Sequence, residues 1–132
     1  MATIPITLDG FFFVYSRLDY YIYPIARVVS SEICVVTTTL PGAWKEFEVG
    51  AFCHEMVESG VACAQYHPVT SMYKWNGEMN SDKEWKIILK LSKGKLESIL
   101  EILSNKHPYD LPQITYWVSS SSPEYSDWVN DS

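Results

Sequence analysis

One short stretch of the sequence carries several residue types that take part in chemistry. The segment His-Pro-Tyr-Asp places His107, Tyr109 and Asp110 within four residues. A histidine can move a proton or bind a metal, and a tyrosine and an aspartate can hold a polar ligand. The same stretch also fits the end of a helix, because Pro108 stops a helix and a histidine is favourable at the negative end of the helix dipole. Taken alone, the segment favours the helix end.

Other chemistry-bearing residues give weaker signals. The three cysteines, Cys34, Cys53 and Cys63, contain no CxxC spacing, and their odd number leaves any disulfide scheme with a free thiol. A reduced, cytoplasmic setting is therefore expected. Cys63 and His107 would form a thiolate pair only if the fold brought them together. The sequence contains neither a nucleophile elbow nor a glycine-rich phosphate loop, so it does not point to an enzyme.

Two aromatic residues, Tyr73 and Trp75, stand two positions apart in a strand-like run and so share one face. Such a pair can stack on a ligand ring or fill a subunit interface. The net charge of −6, from 16 acidic and 10 basic residues, disfavours nucleic-acid binding, because that binding depends on Lys and Arg displacing counterions. The interface is the better interpretation, and no nucleic-acid partner is expected.

The length and composition indicate one globular domain. The chain has 132 residues, of which 47% are hydrophobic, enough to build a core. The charged fraction of 20% is that of a globular protein and not of a disordered one. No hydrophobic run is long enough to span a bilayer, because Arg17, Asp19 and Arg27 interrupt the apolar N-terminal segment. No membrane partner is therefore expected.

Residues 1–32 differ from the rest, because they are crowded with Tyr and Phe and follow neither the helix nor the strand period. We predict an ordered N-terminal extension, folded as an extra hairpin or as an arm packed on the body or on a neighbouring subunit. Residues 33–132 form the predicted domain.

The pattern from residue 32 onward alternates between strand and helix periods. Val49, Phe52, Met56 and Val57 recur at helical spacing, and Pro68 marks a bulge or an edge position in its strand. The predicted elements are strands at 32–40, 61–75, 84–92 and 113–118, helices at 45–59 and 95–107, a turn-containing loop at 76–84, a linker at 119–122, and a short helix from Pro123.

The order β-α-β-β-α-β with a short terminal helix is the split βαβ, or ferredoxin-like, pattern. It predicts an α+β fold with a four-stranded antiparallel sheet and both helices on one face. The other face must then be solvated or covered. Ile88 on an otherwise basic strand face, and Tyr116 or Trp117 on the last strand, indicate that it is covered.

From about Ile33 onward, the sequence resembles the CutA family of divalent-cation tolerance proteins. The resemblance consists of the strand CVVTTTLPG, the segment GVACAQYHPVTSMYKWNGEM with its Ser-x-Tyr-x-Trp-x-Gly, the strand IILKLS, the motif HPYDLPQI and the terminal Tyr-x-x-Trp in PEYSDWV. These motifs occur in the family's order and cover about three quarters of the chain.

The resemblance implies a tight homotrimer whose sheets face inward, without catalytic activity. It also implies clefts at the subunit interfaces that hold a metal or a small ligand. The residues implied there are Tyr73, Trp75, Lys90, Tyr109 and Asp110 for a ligand, and Cys63 and His107 for a metal.

Several positions depart from the family pattern. Thr38 and Thr39 stand where some copper-associated members carry a cysteine, Lys106 replaces a second histidine, and Gln113 replaces the motif's second acidic residue. The implied function is a response to divalent metal ions such as copper, with Cu(II) or another divalent cation held only weakly. The alternative is a small-ligand sensor like the PII signalling proteins, which share the fold and trimeric assembly. An enzyme with His107 as its base and an RRM-like nucleic-acid binder are less favoured.

Overall fold

The computed structural model describes residues 3–8, 11–16, 22–24 and 31–132, and in the first three ranges only the backbone strands. Strands β1 (Thr3–Leu8), β2 (Phe11–Ser16) and β3 (Ile22–Pro24) form an antiparallel sheet in the order β1-β2-β3. The predicted packing of this N-terminal extension on the domain or on a neighbour stays a prediction. The remaining residues of the extension, 1–2, 9–10, 17–21 and 25–30, lie outside the described ranges.

The domain contains four strands and three α-helices. In chain order they are β4 (Glu32–Pro41), α1 (Glu46–Glu58), β5 (Cys63–Trp75), β6 (Glu78–Leu91), a 3-10 turn (Lys93–Lys95), α2 (Leu96–Lys106), β7 (Ile114–Ser120) and α3 (Pro123–Asn130). The strands form one antiparallel sheet in the order β5-β6-β4-β7. The predicted α+β fold with a terminal helix is confirmed.

The main core lies between one sheet face and the helices α1 and α2. Helix α1 buries Val49, Phe52, Cys53 and Met56 against the sheet, because these positions recur every three or four residues. Val57, which the sequence pattern assigned to this stripe, is 45% exposed, and Cys53 takes its place. No helix in the described part of the chain is long and apolar enough to cross a bilayer.

The connection between β5 and β6 is shorter than the sequence analysis predicted. Trp75 pairs with Glu78, so Asn76 and Gly77 alone form the turn, with φ of 52° and 79°. Positive φ at both central residues suits Asn-Gly and matches the twist of a tight hairpin. The suggested turn at Asn76-Gly77 is confirmed, but residues 78–84 belong to β6, so the extension of the loop to residue 84 is wrong.

Two further details differ from the sequence prediction or decide between its alternatives. Pro68 lies opposite Trp85 in an uninterrupted register, so it marks the edge position of β5 and not a bulge. Ser119 and Ser120 pair with β4 as the end of β7, so they are strand residues and not linker residues.

The sheet face opposite α1 and α2, called the open face below, is covered at one end only. Helix α3 packs there, burying Val129 against Ile33 and Val35, with Ile88 at the margin. Trp117 lies on the same face beside Val35 and is 48% exposed. The rest of the open face has no cover within the described part of the chain.

Candidate functional site

Residues 107–113, called the strap below, connect α2 to β7 and cross the edge of the sheet. β7 begins at Ile114 opposite Thr38, so residues 39–41 of β4 have no strand partner on that side. The strap passes through this gap from the helix side to the open face, where the Tyr109 hydroxyl donates to Glu84 Oε2 at 2.8 Å. A short β7 next to a longer β4 thus allows a loop to reach the open face.

An open cleft of about 560 Å³ lies between the strap and the β5–β6 hairpin. It is lined mainly by aromatic, hydroxyl and carboxylate side chains, and among the described residues no Lys, Arg or His contributes to its lining. The lining residues are Thr39, Ser71, Tyr73, Trp75, Asn80, Asp82, Glu84, Tyr109, Asp110, Leu111 and Gln113. A cleft with three carboxylates and no basic group attracts cationic ligands.

Glu84 is the most constrained carboxylate of the cleft. Burial raises its pKa, but hydrogen bonds from Ser71, Tyr109 and Thr39 outweigh burial and hold the pKa below its usual value. Hydrogen bonds donated to a carboxylate favour its ionised form. Glu84 is therefore an anion whose oxygens are already engaged by hydroxyl groups.

The two tyrosines of the cleft are hydrogen-bond donors to these carboxylates. The Tyr73 hydroxyl donates to Asp82 Oδ2, and this hydrogen bond is the main reason that the pKa of Tyr73 is raised. The pKa of Tyr109 is raised above its usual value, first by burial and then by its hydrogen bond to Glu84. Both phenols therefore remain protonated at neutral pH.

His107 lies at the base of the strap, and both of its ring nitrogens have partners. The Tyr109 backbone N–H donates to Nδ1 at 3.1 Å, so the proton of the neutral ring is assigned to Nε2, 2.9 Å from the Thr38 hydroxyl oxygen. That hydroxyl in turn donates to the Gln113 carbonyl at 2.6 Å. Burial lowers the pKa of His107 and outweighs the opposing effects of the Thr39 backbone and Glu84. His107 is thus a neutral residue that holds the strap.

The remaining predicted site residues lie at the other end of the open face. Cys63 pairs with Lys90, whose ammonium donates to Gln65 Oε1 at 3.1 Å. Lys90 is six residues beyond Glu84 on β6, a separation of about 20 Å along a strand. His107, by contrast, is held on the helix side of the sheet. Its partner Thr38 faces that side, because Thr38 pairs with the core residue Ile87.

The structure therefore divides the predicted site residues into two groups. It brings Tyr73, Trp75, Tyr109 and Asp110 together around the cleft, whereas Cys63, Lys90 and His107 do not line it. Within one chain Cys63 and His107 do not meet, and the described residues contain no group of three or more His, Cys, Asp or Glu side chains able to hold a metal ion.

Two cleft carboxylates, Asp82 and Glu84, were not predicted as site residues. Asp82 lay in the predicted loop, and Glu84 lay where that loop meets the predicted strand 84–92, so no i, i+2 pattern linked them. Read as a strand, the i, i+2 spacing of Asp82 and Glu84 would have placed both on the face of Ser71 and Tyr73.

Comparisons with known proteins agree with the fold and the motifs. The sequence model of the family "CutA1 divalent ion tolerance protein" matches residues 34–132. The Divalent-cation tolerance protein CutA of Thermotoga maritima is 34% identical over 100 residues, which cover 74% of this chain and 96% of that protein.

Solved structures give the same result. CutA from Synechococcus elongatus PCC7942 superposes with a TM-score of 0.68 and 28% identity, covering 75% of this chain and 88% of that one. The PII-like protein CutA from Nostoc sp. PCC 7120, in apo form, has a TM-score of 0.63 and 30% identity, covering 74% of this chain and 94% of that one. With a family match over three quarters of its length, this chain belongs to the CutA1 family of divalent ion tolerance proteins.

Proposed function

We propose that this protein is a homotrimer that responds to divalent metal ions by weak cation binding in the cleft, without catalysis. The observation that carries the proposal is the negative charge of the cleft, whose described lining has the carboxylates Asp82, Glu84 and Asp110 and no basic side chain. These carboxylates are not grouped closely enough to chelate an ion together, so the proposed binding is weak. The names of the relatives, which refer to divalent-cation tolerance, support the same class of ligand.

The oxygen-rich lining favours hard divalent cations over copper. Carboxylate and hydroxyl oxygens suit Mg²⁺, Ca²⁺ and Mn²⁺, whereas copper is held best by imidazole nitrogens and, as Cu(I), by thiolates. A copper site that used both Cys63 and His107 would need each residue from a different copy of the chain, and His107 would have to give up a present hydrogen bond. We therefore propose that Cu(II) binds weakly.

Calorimetry with Mn²⁺ and with Cu²⁺ tests the cation proposal. We expect dissociation constants in the micromolar range or weaker for both ions, with Mn²⁺ binding reduced at least tenfold in Glu84→Gln. The matched control is Glu48→Gln, because Glu48 is an exposed carboxylate in the first turn of α1 and does not line the cleft. A nanomolar Cu²⁺ affinity that disappears in His107→Ala, or Mn²⁺ binding that is absent from the wild type, would contradict the proposal.

The trimer is supported by apolar surface and an unpaired edge on one chain. Trp75 is 56% exposed on the open face, and β5 is an edge strand of 13 residues. Long exposed edges and large aromatic patches are rare in monomers, because they invite pairing with other chains. Light scattering at micromolar concentration should return three times the chain mass of 15.1 kDa, and a monomer mass would refute this part.

The absence of catalysis is supported by the state of His107, the best candidate base, whose two nitrogens are both engaged. A cytoplasmic location is supported by the three cysteines, all of which are free thiols in the described chain.

A small-ligand sensor is the second candidate function. It is favoured by the volume of the cleft, about 560 Å³, which is more than a single ion needs. The aromatic side chains of Tyr73, Trp75 and Tyr109 in its lining also suit an organic ligand. The likeness to a protein named PII-like points the same way. A thermal-shift screen of organic cations against the wild type and Trp75→Leu separates the two, since stacking on the indole would be lost only for an organic ligand.

A further inference from the structure

The base of the strap, formed by its first and last residues, is held differently from its middle. At its base, Thr38 connects the first and last residues, because its hydroxyl contacts His107 Nε2 and donates to the Gln113 carbonyl. Thr38 is completely buried in the domain, so this connection moves only if the core moves.

The middle of the strap has far fewer contacts. Among the described residues, no backbone–backbone hydrogen bond of the loops involves residues 108–113. Pro108, Asp110 and Leu111 are exposed, Leu111 at 74%. Tyr109 is the exception, because its ring packs on His107 at 5.1 Å between centroids and its hydroxyl donates to Glu84. One side-chain hydrogen bond thus connects the middle of the strap to the far side of the cleft.

We propose that the strap is a gate on the cleft, fixed at its base by Thr38 and latched reversibly by the Tyr109–Glu84 hydrogen bond. When the latch breaks, residues 108–111 move away from β6, and the wall formed by Tyr109, Asp110 and Leu111 leaves the cleft. Glu84, which already lines the cleft, then loses its bond to the Tyr109 hydroxyl and can accept a ligand in its place. The base keeps the loop ends in place, so the gate opens without unfolding of β4 or β7.

Limited proteolysis with chymotrypsin tests the latch without any ligand. The enzyme cleaves after Tyr and after Phe, so the bond between residues 109 and 110 is a substrate in the wild type and in Tyr109→Phe. Cleavage of a native protein follows the population of the open form when opening and closing are fast. A hydrogen bond to a charged group corresponds to roughly a 10- to 100-fold change in that population. We therefore expect Tyr109→Phe to be cut at this bond about 10 to 100 times faster, measured as the fragment 1–109 by mass spectrometry.

The controls separate the latch from general loosening. Peptides of residues 105–113 with Tyr or Phe at position 109 correct for the preference of the protease. Glu84→Gln, which keeps Tyr109 but removes the charged acceptor, should also be cut faster. Tyr73→Phe loses a hydroxyl that is bonded to Asp82 in the same cleft but is not part of the strap, and it should be cut at the wild-type rate. Corrected rates within twofold of the wild type for Tyr109→Phe and Glu84→Gln, or an equal acceleration in Tyr73→Phe, would overturn the proposal.

A second measurement connects the gate to the ligand, and only this step rests on the proposed function. A cation that binds Glu84 competes with the Tyr109 hydroxyl for the same carboxylate, so Mn²⁺ should accelerate cleavage of the wild type and leave Tyr109→Phe unchanged. If Mn²⁺ has no effect on the wild type while Tyr109→Phe is still cut faster without it, then the cation assignment fails and the latch stands.

Discussion

Removing the Thr38 hydroxyl is the sharpest test of how the strap is held. Thr38→Val keeps the shape of the side chain and takes away the one atom that contacts both His107 Nε2 and the Gln113 carbonyl. His107 Nε2 then loses its hydroxyl partner at a half-buried position, and the Gln113 carbonyl loses its donor. An unsatisfied buried polar group costs about 1–3 kcal/mol. Water reaches the exposed Gln113, so most of the loss comes from His107.

We therefore expect Thr38→Val to lower the free energy of unfolding by about 2 kcal/mol, the middle of that range. Buried polar groups without partners are among the known causes of large mutational effects. In a domain of about 100 residues, this corresponds to a fall in melting temperature of roughly 8–16 °C. Urea and thermal denaturation at one fixed protein concentration measure it, because the stability of an oligomer depends on concentration.

Thr37→Val is the matched control for this experiment. Thr37 is the neighbouring residue of β4 and is only 5% exposed, but its hydroxyl makes no hydrogen bond that the structure records in the described chain. The same change of chemistry should leave stability within about 0.5 kcal/mol of the wild type. If Thr38→Val were no more destabilised than Thr37→Val, then the hydrogen bonds at the base of the strap would not hold it.

Three other predictions concern assembly, pH and packing. Trp75→Ala should weaken the trimer, since large aromatic side chains at interfaces contribute about 2 kcal/mol or more. The melting temperature of this variant should fall and should depend on protein concentration. Trp128→Ala, which removes another exposed indole, should leave both the trimer and its melting temperature unchanged. Burial lowers the folded pKa of His107 below the unfolded value of about 6.5. His107 therefore stabilises the fold above that pH, and this stability is lost as the pH falls below it. The free energy of unfolding, measured between pH 7.5 and 5, should depend less steeply on pH in His107→Gln than in the wild type. A side chain at Gly42 would overlap a backbone carbonyl of β6, whereas Gly94 faces open space; Gly42→Ala should lower the denaturation midpoint clearly, and an equal effect of Gly94→Ala would show that this close approach is not the cause.

The residue types of Asn76-Gly77 alone predict a tight two-residue hairpin turn. The polar run that follows makes segment 76–84 long for such a hairpin, which favours a longer loop. The structure pairs that run with β5 residue by residue. An exposed two-stranded ribbon needs no apolar face, so its strands carry a weak periodic signal.

The sequence by itself determined the order of the elements, the helix positions and the family. Helix α2 illustrates why, since the apolar stripe of Ile99 and Leu103 and the stop at Pro108 are all local signals. The motif residues Tyr73, Trp75, Tyr109 and Asp110 were likewise recognisable, and they do share a cleft.

Only the tertiary structure decided what these residues touch. Tyr109 and Glu84 are 25 positions apart, and Thr38 and His107 are 69 apart. Their contacts depend on the register of β4 with β6 and β7, which is set by pairing between distant segments and by packing of the core. For the same reason, Cys63 and His107 could not be separated in advance. Which face a residue occupies follows from local alternation, but its row in the sheet, and therefore its neighbours, depends on how the whole sheet is assembled.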